Sequence, residues 1–260
     1  VYNERFANSL KRYRNGQEGR YTYVNWGYNT IGVFQNQDQI NNWPVNIDGK
    51  GNTTLLPGDF IVEDVNGDGR IDSQDERPIA YQDNSSVAPQ PIINGGLTLG
   101  FDWKGIDLSA DFSLAGGYAF TPNWETRWPF QNGRTLVRET QFKNRWRHED
   151  PFDPNSAWIP GDVPALRFTA REYVSWNRNL DYWTTNVVAF RLRSLEIGYT
   201  LPRKWLAAAR IQKVRFYVNT YNLFSIDNVK KYGVDPEIAD RNGMQYPQNR
   251  VVNIGANLTF

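Results

Sequence analysis

Apolar and polar residues alternate along five stretches of the chain, each roughly ten residues long. The last stretch, VVNIGANLTF, places Val252, Ile254 and Leu258 on one face, with Asn253 and Asn257 on the other. Alternation with a period of two indicates a β-strand that has one apolar and one polar face. We therefore predict five strands, at about 92–103, 106–117, 188–200, 213–223 and 250–260.

The length of these strands favours a membrane barrel over a soluble domain. A tilted strand needs about 9–11 residues to cross a bilayer, whereas strands in globular proteins average about 5–6. A single alternating stretch also fits a soluble β-sandwich, so the evidence for a membrane barrel is the presence of all five long stretches. In VVAFRLRSLEIGYTL the alternation changes phase between Leu192 and Leu195, which indicates a β-bulge or a different register.

The connections between the strands alternate between short and long. Lys104 and Gly105 form a tight turn, and Pro202 to Gln212 form a moderate one, whereas 1–91, 120–187 and 225–249 are long. Membrane barrels have short periplasmic turns and long extracellular loops. If the C-terminus is periplasmic, all three long segments are extracellular. We predict an all-β fold, the last five strands of a transmembrane antiparallel barrel. An extracellular loop region (1–91) then precedes a barrel region (92–260) with extracellular loops 120–187 and 225–249.

Composition narrows the function classes. The 29 Lys and Arg residues nearly balance the 28 Asp and Glu residues, so no nucleic-acid partner is expected. The 10 Trp, 14 Tyr and 14 Phe residues suit either a membrane barrel or a carbohydrate-binding β protein. The chain has no cysteine, one histidine (His148) and no motif for a catalytic nucleophile, so we predict that it is not an enzyme. It begins at Val1 without a signal peptide, so an exported protein would have its N-terminus upstream.

One acidic segment, DVNGDGRIDSQD at 64–75, resembles a calcium-binding loop. Calcium prefers oxygen ligands, and Gly69 allows the sharp turn that such loops need. Asp75 stands where the pattern usually has a Glu, and neither flank predicts a helix. The alternative is an acidic turn without an ion. If calcium binds, we predict a structural role, with the ligands Asp64, Asn66, Asp68, Arg70, Asp72 and Asp75.

Two further groups of residues are candidates for binding. The segment 121–187 is rich in aromatic residues, which either contact a substrate or partner or pack the long loops together. The candidates in it are Trp124, Trp128, Trp158, Trp176 and Trp183. The C-terminal strand ends on an aromatic residue in phase with its apolar face, as expected of an outer-membrane assembly signal formed by Asn253, Gly255, Leu258 and Phe260.

Several stretches resemble the C-terminal portion of SusC/RagA-type TonB-linked outer-membrane transporters of Bacteroidetes. They include LLPGDFIVEDVNGDGRIDSQDERPIAY, LTLGFDWKGIDLSADFSLAGG, FRLRSLEIGYTLPRKWL and YPQNRVVNIGANLTF, and the resemblance covers most of 30–260. It implies a 22-stranded barrel, a plug and a TonB-contacting segment outside this chain, and a SusD-like surface lipoprotein as partner. It also implies import of oligosaccharides or peptides through the outer membrane.

Two alternatives remain open. A soluble, calcium-dependent carbohydrate-binding β protein would show the same composition, and a surface glycoside hydrolase needs only a pair of carboxylates. Solubility separates the first alternative from the barrel. Five strands with two open edges are not expected to be stable alone, so the chain should exist only with the rest of its barrel.

Overall fold

The structure is a computed structural model that describes residues 24–80, 91–130, 137–207, 211–237, 242–246 and 248–260. The chain forms two compact units. The loop unit comprises Val1–Pro89, Ala119–Thr185 and Ala239–Met244, and the sheet unit comprises Gln90–Tyr118, Asn186–Ile238 and Gln245–Phe260. Parts of the predicted loops (1–23, 81–90, 131–136, 238–241 and 247) and of the turn near 202–212 (208–210) lie outside the described residues.

The sheet unit is built on the five predicted strands, which confirms the all-β prediction. The strands are β5 (Ile93–Trp103), β6 (Ile106–Phe120), β9 (Thr185–Thr200), β10 (Lys213–Asp227) and β11 (Val251–Thr259). They form one sheet in the order β11-β10-β9-β6-β5, in which each strand pairs with its neighbours in sequence. The β5–β6, β9–β10 and β10–β11 ladders are antiparallel. Strands β6, β9 and β10 are longer than the predicted stretches, each at the end that borders a long loop.

The turn between β5 and β6 is as tight as the sequence predicts. Trp103 pairs with Ile106, so only Lys104 and Gly105 make the connection. Both have positive φ values, 48° and 88°. This is the backbone of a type I′ hairpin turn, which matches the twist of the two strands. At the same end of the sheet, a short helix α4 (Arg203–Leu206) follows β9.

The two faces of the sheet differ in polarity. One face carries large apolar side chains that remain exposed, such as Leu99 (48%), Phe216 (52%) and Leu258 (52%). The other carries hydrogen-bonded polar side chains such as Asp111, which accepts from Thr98 and Ser194. An apolar sheet face of this size is not normal on a water-soluble surface, and it fits contact with lipid.

The phase change predicted near Leu192 coincides with an irregularity of the β9–β10 ladder. Tyr221 pairs with Ser194 but Phe224 pairs with Leu192, so β10 has one residue more than β9 at this level. The extra residue is accommodated at Asn222, whose φ is 52°. The predicted bulge is therefore present, with the inserted residue on the neighbouring strand.

The loop unit contains more regular structure than the sequence indicates. Among its described residues are three two-stranded sheets and three short α-helices. The strands are β1 (Asn25–Gly27), β2 (Thr30–Val33), β3 (Phe60–Val62), β4 (Arg77–Ala80), β7 (Arg147–His148) and β8 (Trp158–Ile159). They pair as β1–β4, β2–β3 and β7–β8. The helices are α1 (Gln37–Asn41), α2 (Glu139–Lys143) and α3 (Val174–Asn177). No helix among the described residues has the length and apolar character needed to cross a membrane.

An apolar core holds the loop unit together. It joins residues from both long segments of the unit, including Phe34, Phe60, Trp176 and Leu180, each at most 1% exposed. Trp176 stacks on Trp183 with ring centroids 5.3 Å apart. Residues more than 100 positions apart in sequence thus share one core, so the two segments fold as one body.

Candidate functional site

The acidic segment 64–75 forms a tight turn whose carboxylates bind the turn's own backbone. The two carboxylate oxygens of Asp64 accept hydrogen bonds from the amides of Gly67 and Gly69, both at 2.8 Å. Asp75 is fully buried and accepts from the amides of Val65 (2.9 Å) and Asp72 (2.8 Å). These hydrogen bonds close the turn without an ion.

The oxygen donors of this segment are nevertheless of the chemical type that calcium binds. Asn66, Asp68, Arg70 and Asp72 are exposed, and their side-chain or carbonyl oxygens are the hard ligands that calcium prefers. Among the described residues, however, no three His, Cys, Asp or Glu side chains converge in a way that could hold a metal ion. Calcium binding at Asp64, Asn66, Asp68, Arg70, Asp72 and Asp75 therefore stays a prediction.

Calorimetry tests this prediction directly. If calcium binds here, the Asp64→Ala variant of the full-length protein should bind it at least about tenfold more weakly, because one charged ligand is lost. Asp150→Ala, which removes an exposed carboxylate from another turn, is the matched control. Equal calcium binding by wild type and Asp64→Ala would remove the site assignment.

The five candidate tryptophans separate into buried and accessible residues. Trp176 (0% exposed) and Trp183 (4%) lie in the core of the loop unit. Their burial agrees with the alternative that they pack the long loops together, because side chains in the core contact their neighbours and not solvent. Binding of a substrate or partner by these two residues stays an untested prediction. Trp158 is half-buried and lies against His148, with ring centroids 4.1 Å apart.

Trp124 and Trp128 form an accessible pair, together with an arginine that sequence reasoning missed. Trp124 is 46% exposed, and its ring centroid lies 6.1 Å from that of Trp128. The guanidinium carbon of the exposed Arg171 lies 5.9 Å from the Trp124 ring and 4.9 Å from the Trp128 ring. We call these three residues the Trp–Arg platform. Nothing in the sequence pairs Arg171 with residues more than 40 positions earlier, so no local signal could have found it.

The platform is anchored to the core. The indole N–H of Trp128 donates to the backbone carbonyl of Trp176 at 2.8 Å. Next to it, Arg127 is 5% exposed, and its guanidinium lies 5.3 Å from the Trp183 ring. Burial lowers the pKa of Arg127 to about 9. The segment under the platform thus holds a buried cation that contacts the Trp183 ring and donates to the backbone carbonyl of Arg178.

Several polar atoms beneath the platform have no hydrogen-bond partner in the described structure. They are Asn123 Oδ1, Glu125 Oε2, Thr126 Oγ1 and Arg127 Nε, all buried. Such atoms cost free energy, and native structures contain few of them. All four atoms lie within 123–127, beside or between the platform residues Trp124 and Trp128 in sequence.

A buried ion pair fixes the loop that leads into β3. Asp59 (1% exposed) accepts from the guanidinium of Arg167 at 2.5 Å and from the amide of Leu56 at 2.8 Å. Burial raises the pKa of Asp59, and the charge of Arg167 opposes that rise. The guanidinium of Arg167 and the carboxylate of Asp59 are each other's ionic partners, so we assign the pair a structural role.

The polar face of the sheet carries ionic networks that the sequence did not reveal. Arg215 on β10 donates to Asp107 on β6 (Nε to Oδ1, 3.0 Å) and to Glu196 on β9 (2.6 Å). Nearer the opposite end, Arg191 on β9 donates to both carboxylate oxygens of Asp235, each at 2.7 Å. On this face, the contacts of Arg215 join β6, β9 and β10, and those of Arg191 join β9 to the connection after β10.

Three of the predicted assembly residues lie on the edge strand β11, and Phe260 follows it directly. Asn253 donates to Asn219 of β10 at 2.9 Å. Leu258 and Phe260 are 52% and 78% exposed on the apolar side. A Cβ on Gly255 would lie 2.5 Å from the ring of Tyr217, so any larger residue there requires the Tyr217 ring to move. Their recognition by an assembly machinery stays a prediction.

Gly255→Val is expected to reduce the yield of assembled full-length protein several-fold, because the valine side chain displaces Tyr217 and disturbs the β10–β11 ladder. Heat-modifiable mobility on gels of outer-membrane fractions measures the folded amount. Gly100→Val is the matched control, since a Cβ at Gly100 meets nothing within 4 Å. Equal yields of the two variants would contradict the steric role of Gly255.

Comparison with known proteins confirms the resemblance stated from the sequence. No known family profile matches the chain. The chain is 26% identical over 256 residues to TonB-dependent receptor P3 of Formosa agariphila, covering 90% of this chain and 22% of the receptor. It is 25% identical over 223 residues to TonB-dependent receptor P39 of the same organism, covering 80% of this chain and 19% of the receptor. The chain thus spans about a fifth of the length of these curated relatives.

Solved structures show the same fold. The RagAB peptide importer in its open-open state matches 93% of this chain and 23% of its own, with a TM-score of 0.54 and 21% identity. The RagAB peptide transporter matches 91% of this chain and 22% of its own, with a TM-score of 0.55 and 20% identity. The sheet unit therefore has the fold of the corresponding part of a larger barrel.

Proposed function

We propose that this chain is the C-terminal barrel part of an outer-membrane importer that takes up oligosaccharides or peptides with energy supplied through TonB. The observation that carries the proposal is the five-stranded sheet with one exposed apolar face and one hydrogen-bonded polar face. The similarity to TonB-dependent receptors supports it. These relatives are receptors rather than enzymes, which agrees with the prediction that no catalysis occurs here.

In this proposal the polar face lines the barrel interior and the apolar face contacts lipid. The ionic contacts of Arg215 join β6, β9 and β10 across the interior surface. The Arg215 side chain is only 15% exposed, and a charge that is largely removed from water is costly without a partner. The network therefore joins three neighbouring strands by ion pairs on the interior surface.

The proposal includes an orientation and partners. The loop unit is extracellular and Phe260 is periplasmic, since β5 and β6 are joined by the short turn typical of the periplasmic side. The extracellular loop unit then contacts substrate and a SusD-like surface lipoprotein, while a segment outside this chain contacts TonB. The resemblance to SusC/RagA-type transporters supports both partners.

Uptake measurements test the function. Cells with the intact gene, cells without it and cells without TonB are compared for uptake of mixed oligosaccharides and mixed peptides. The proposal expects at least one substrate whose uptake requires both the gene and TonB. Uptake that is unaffected by either deletion, for every substrate tested, would contradict it.

Labelling of whole cells tests the orientation. A cysteine that replaces Phe152, which is 94% exposed in the loop unit, should react with a membrane-impermeant maleimide. A cysteine that replaces Lys104 in the β5–β6 turn should react only after the outer membrane is permeabilised. The reverse pattern would invert the proposed topology.

A further inference from the structure

The Trp–Arg platform combines an aromatic stacking surface with a cation that has no anionic partner among the described residues. The guanidinium of Arg171 lies within about 6 Å of both indole rings, the range of a cation–π contact. Among the described residues it forms no ion pair, although Glu172 is its neighbour in sequence and Glu125 adjoins Trp124. The rings therefore hold the arginine in place, and no described residue takes up its N–H donors.

The local backbone is strained in a way that presents the aromatic residues. Trp124 has a φ of 47° and Phe130 a φ of 51°, in the left-handed region that bulky residues rarely adopt. Phe130 stacks on Phe168 with centroids 4.8 Å apart, and Phe168 is 72% exposed. Two aromatic contacts thus join the same two segments, 124–130 and 168–171, and give an extended apolar surface next to Arg171.

We propose that the platform binds an acidic sugar residue of an oligosaccharide, a deepening that rests on the proposed import function. The pyranose ring stacks on the exposed face of Trp124, and its anionic substituent accepts hydrogen bonds from Arg171. Arginine is suited to this task because its planar fork matches a carboxylate or a sulfate ester in two-point contact. The anchored Trp128 holds the arginine in the geometry that binds.

The local structure favours a sugar over a peptide. Peptides are commonly recognised along an exposed strand edge, where the backbone supplies alternating donors and acceptors. The platform residues Trp124 and Arg171 instead lie in short 3-10 turns, Trp124–Thr126 and Ala170–Glu172. Such turns present no strand edge. Flat rings beside one cation suit a ligand with an apolar ring face and a negative group.

Calorimetry on the full-length protein in detergent tests the assignment. The probes are tetragalacturonate, a sulfated galactose tetramer, an uncharged galactose tetramer and an acidic hexapeptide. We expect at least one anionic tetramer to bind the wild type at least about tenfold more tightly than the uncharged tetramer. Comparison of the two anionic tetramers distinguishes a carboxylate from a sulfate ester as the ligand group.

Variants locate the binding to the platform. Trp124→Ala and Arg171→Gln should each weaken binding of the anionic tetramer about tenfold, and Arg171→Gln should abolish its preference over the uncharged one. Phe152→Ala, which removes an aromatic ring that is 94% exposed elsewhere in the loop unit, should bind as the wild type does. Outer-membrane yield and heat-modifiable mobility check that each variant is folded.

Three results would overturn the inference: no binding of either anionic tetramer to the wild type, unchanged binding by both platform variants, or binding of the hexapeptide alone. These results are distinguishable from failure of the import function. TonB-dependent uptake that persists in the platform variants would leave the import function standing and remove only the platform as a ligand site.

Discussion

The Trp176→Ala variant of the full-length protein is expected to lose about 3–5 kcal/mol of stability in its loop unit. Trp176 is fully buried, stacks on Trp183, and donates from its indole N–H to the carbonyl of Ala165 at 3.2 Å. Alanine leaves a large cavity and an unpaired carbonyl at the point where the two segments of the loop unit meet. Hydrogen exchange of loop-unit peptides measures the change as faster opening.

A surface tryptophan is the matched control for this variant. Trp124 is 46% exposed, so Trp124→Ala should change the opening free energy of the loop unit by less than about 1 kcal/mol. Exchange that is equally fast in both variants, or equally slow, would mean that Trp176 does not hold the core together.

The Arg191→Leu variant is expected to cost about 3–5 kcal/mol locally and to release the connection after β10 from the sheet. The Arg191 side chain is 5% exposed, and its partners Asp235 and Glu237 are 11% and 16% exposed. Removal of the cation leaves Asp235 largely buried without its partner, and leaves Glu237 with only the more exposed Arg193. Faster hydrogen exchange in peptides that cover 228–237 would report the release.

Arg193→Leu is the control, because Arg193 is 45% exposed and its pairing with Glu237 at 2.8 Å lies nearer solvent. It should cost less than about 1 kcal/mol. A double variant, Arg191→Leu with Asp235→Leu, should recover part of the loss, since it removes a buried charge from each side. No difference between Arg191→Leu and Arg193→Leu would contradict the role assigned to Arg191.

The sheet could be predicted from the sequence because strand alternation is local. In a stretch such as 106–114, the alternation with a period of two is enough to assign each residue to the apolar or the polar face. The turn at Lys104 and Gly105 is equally local. The phase change in the sequence indicates the bulge. It does not indicate which strand holds the extra residue, because that depends on the pairing of Phe224 with Leu192.

The loop unit could not be predicted in the same way, because its core is assembled from distant segments without a periodic pattern. Trp124 and Trp176 look alike in the sequence, yet one is 46% exposed and the other 0%. The contacts of Arg171 and Arg191 likewise depend on the folded chain. The sequence shows that 121–187 is rich in aromatic residues that either bind a substrate or partner or pack the loops together. Only the structure separates the aromatic residues that pack in the core from those that are accessible to solvent.

We propose that the sheet unit is a piece of barrel wall, with lipid on one face and the barrel interior on the other. These 260 residues contain no cysteine, so single spin labels can be placed in this part of the full-length protein in lipid vesicles. Labels at Leu99 and Phe216 should be accessible to oxygen and shielded from a water-soluble nickel complex, whereas labels at Thr98 and Asn219 should show the opposite. Equal accessibility of neighbouring positions, or nickel access at Leu99 and Phe216, would contradict the account.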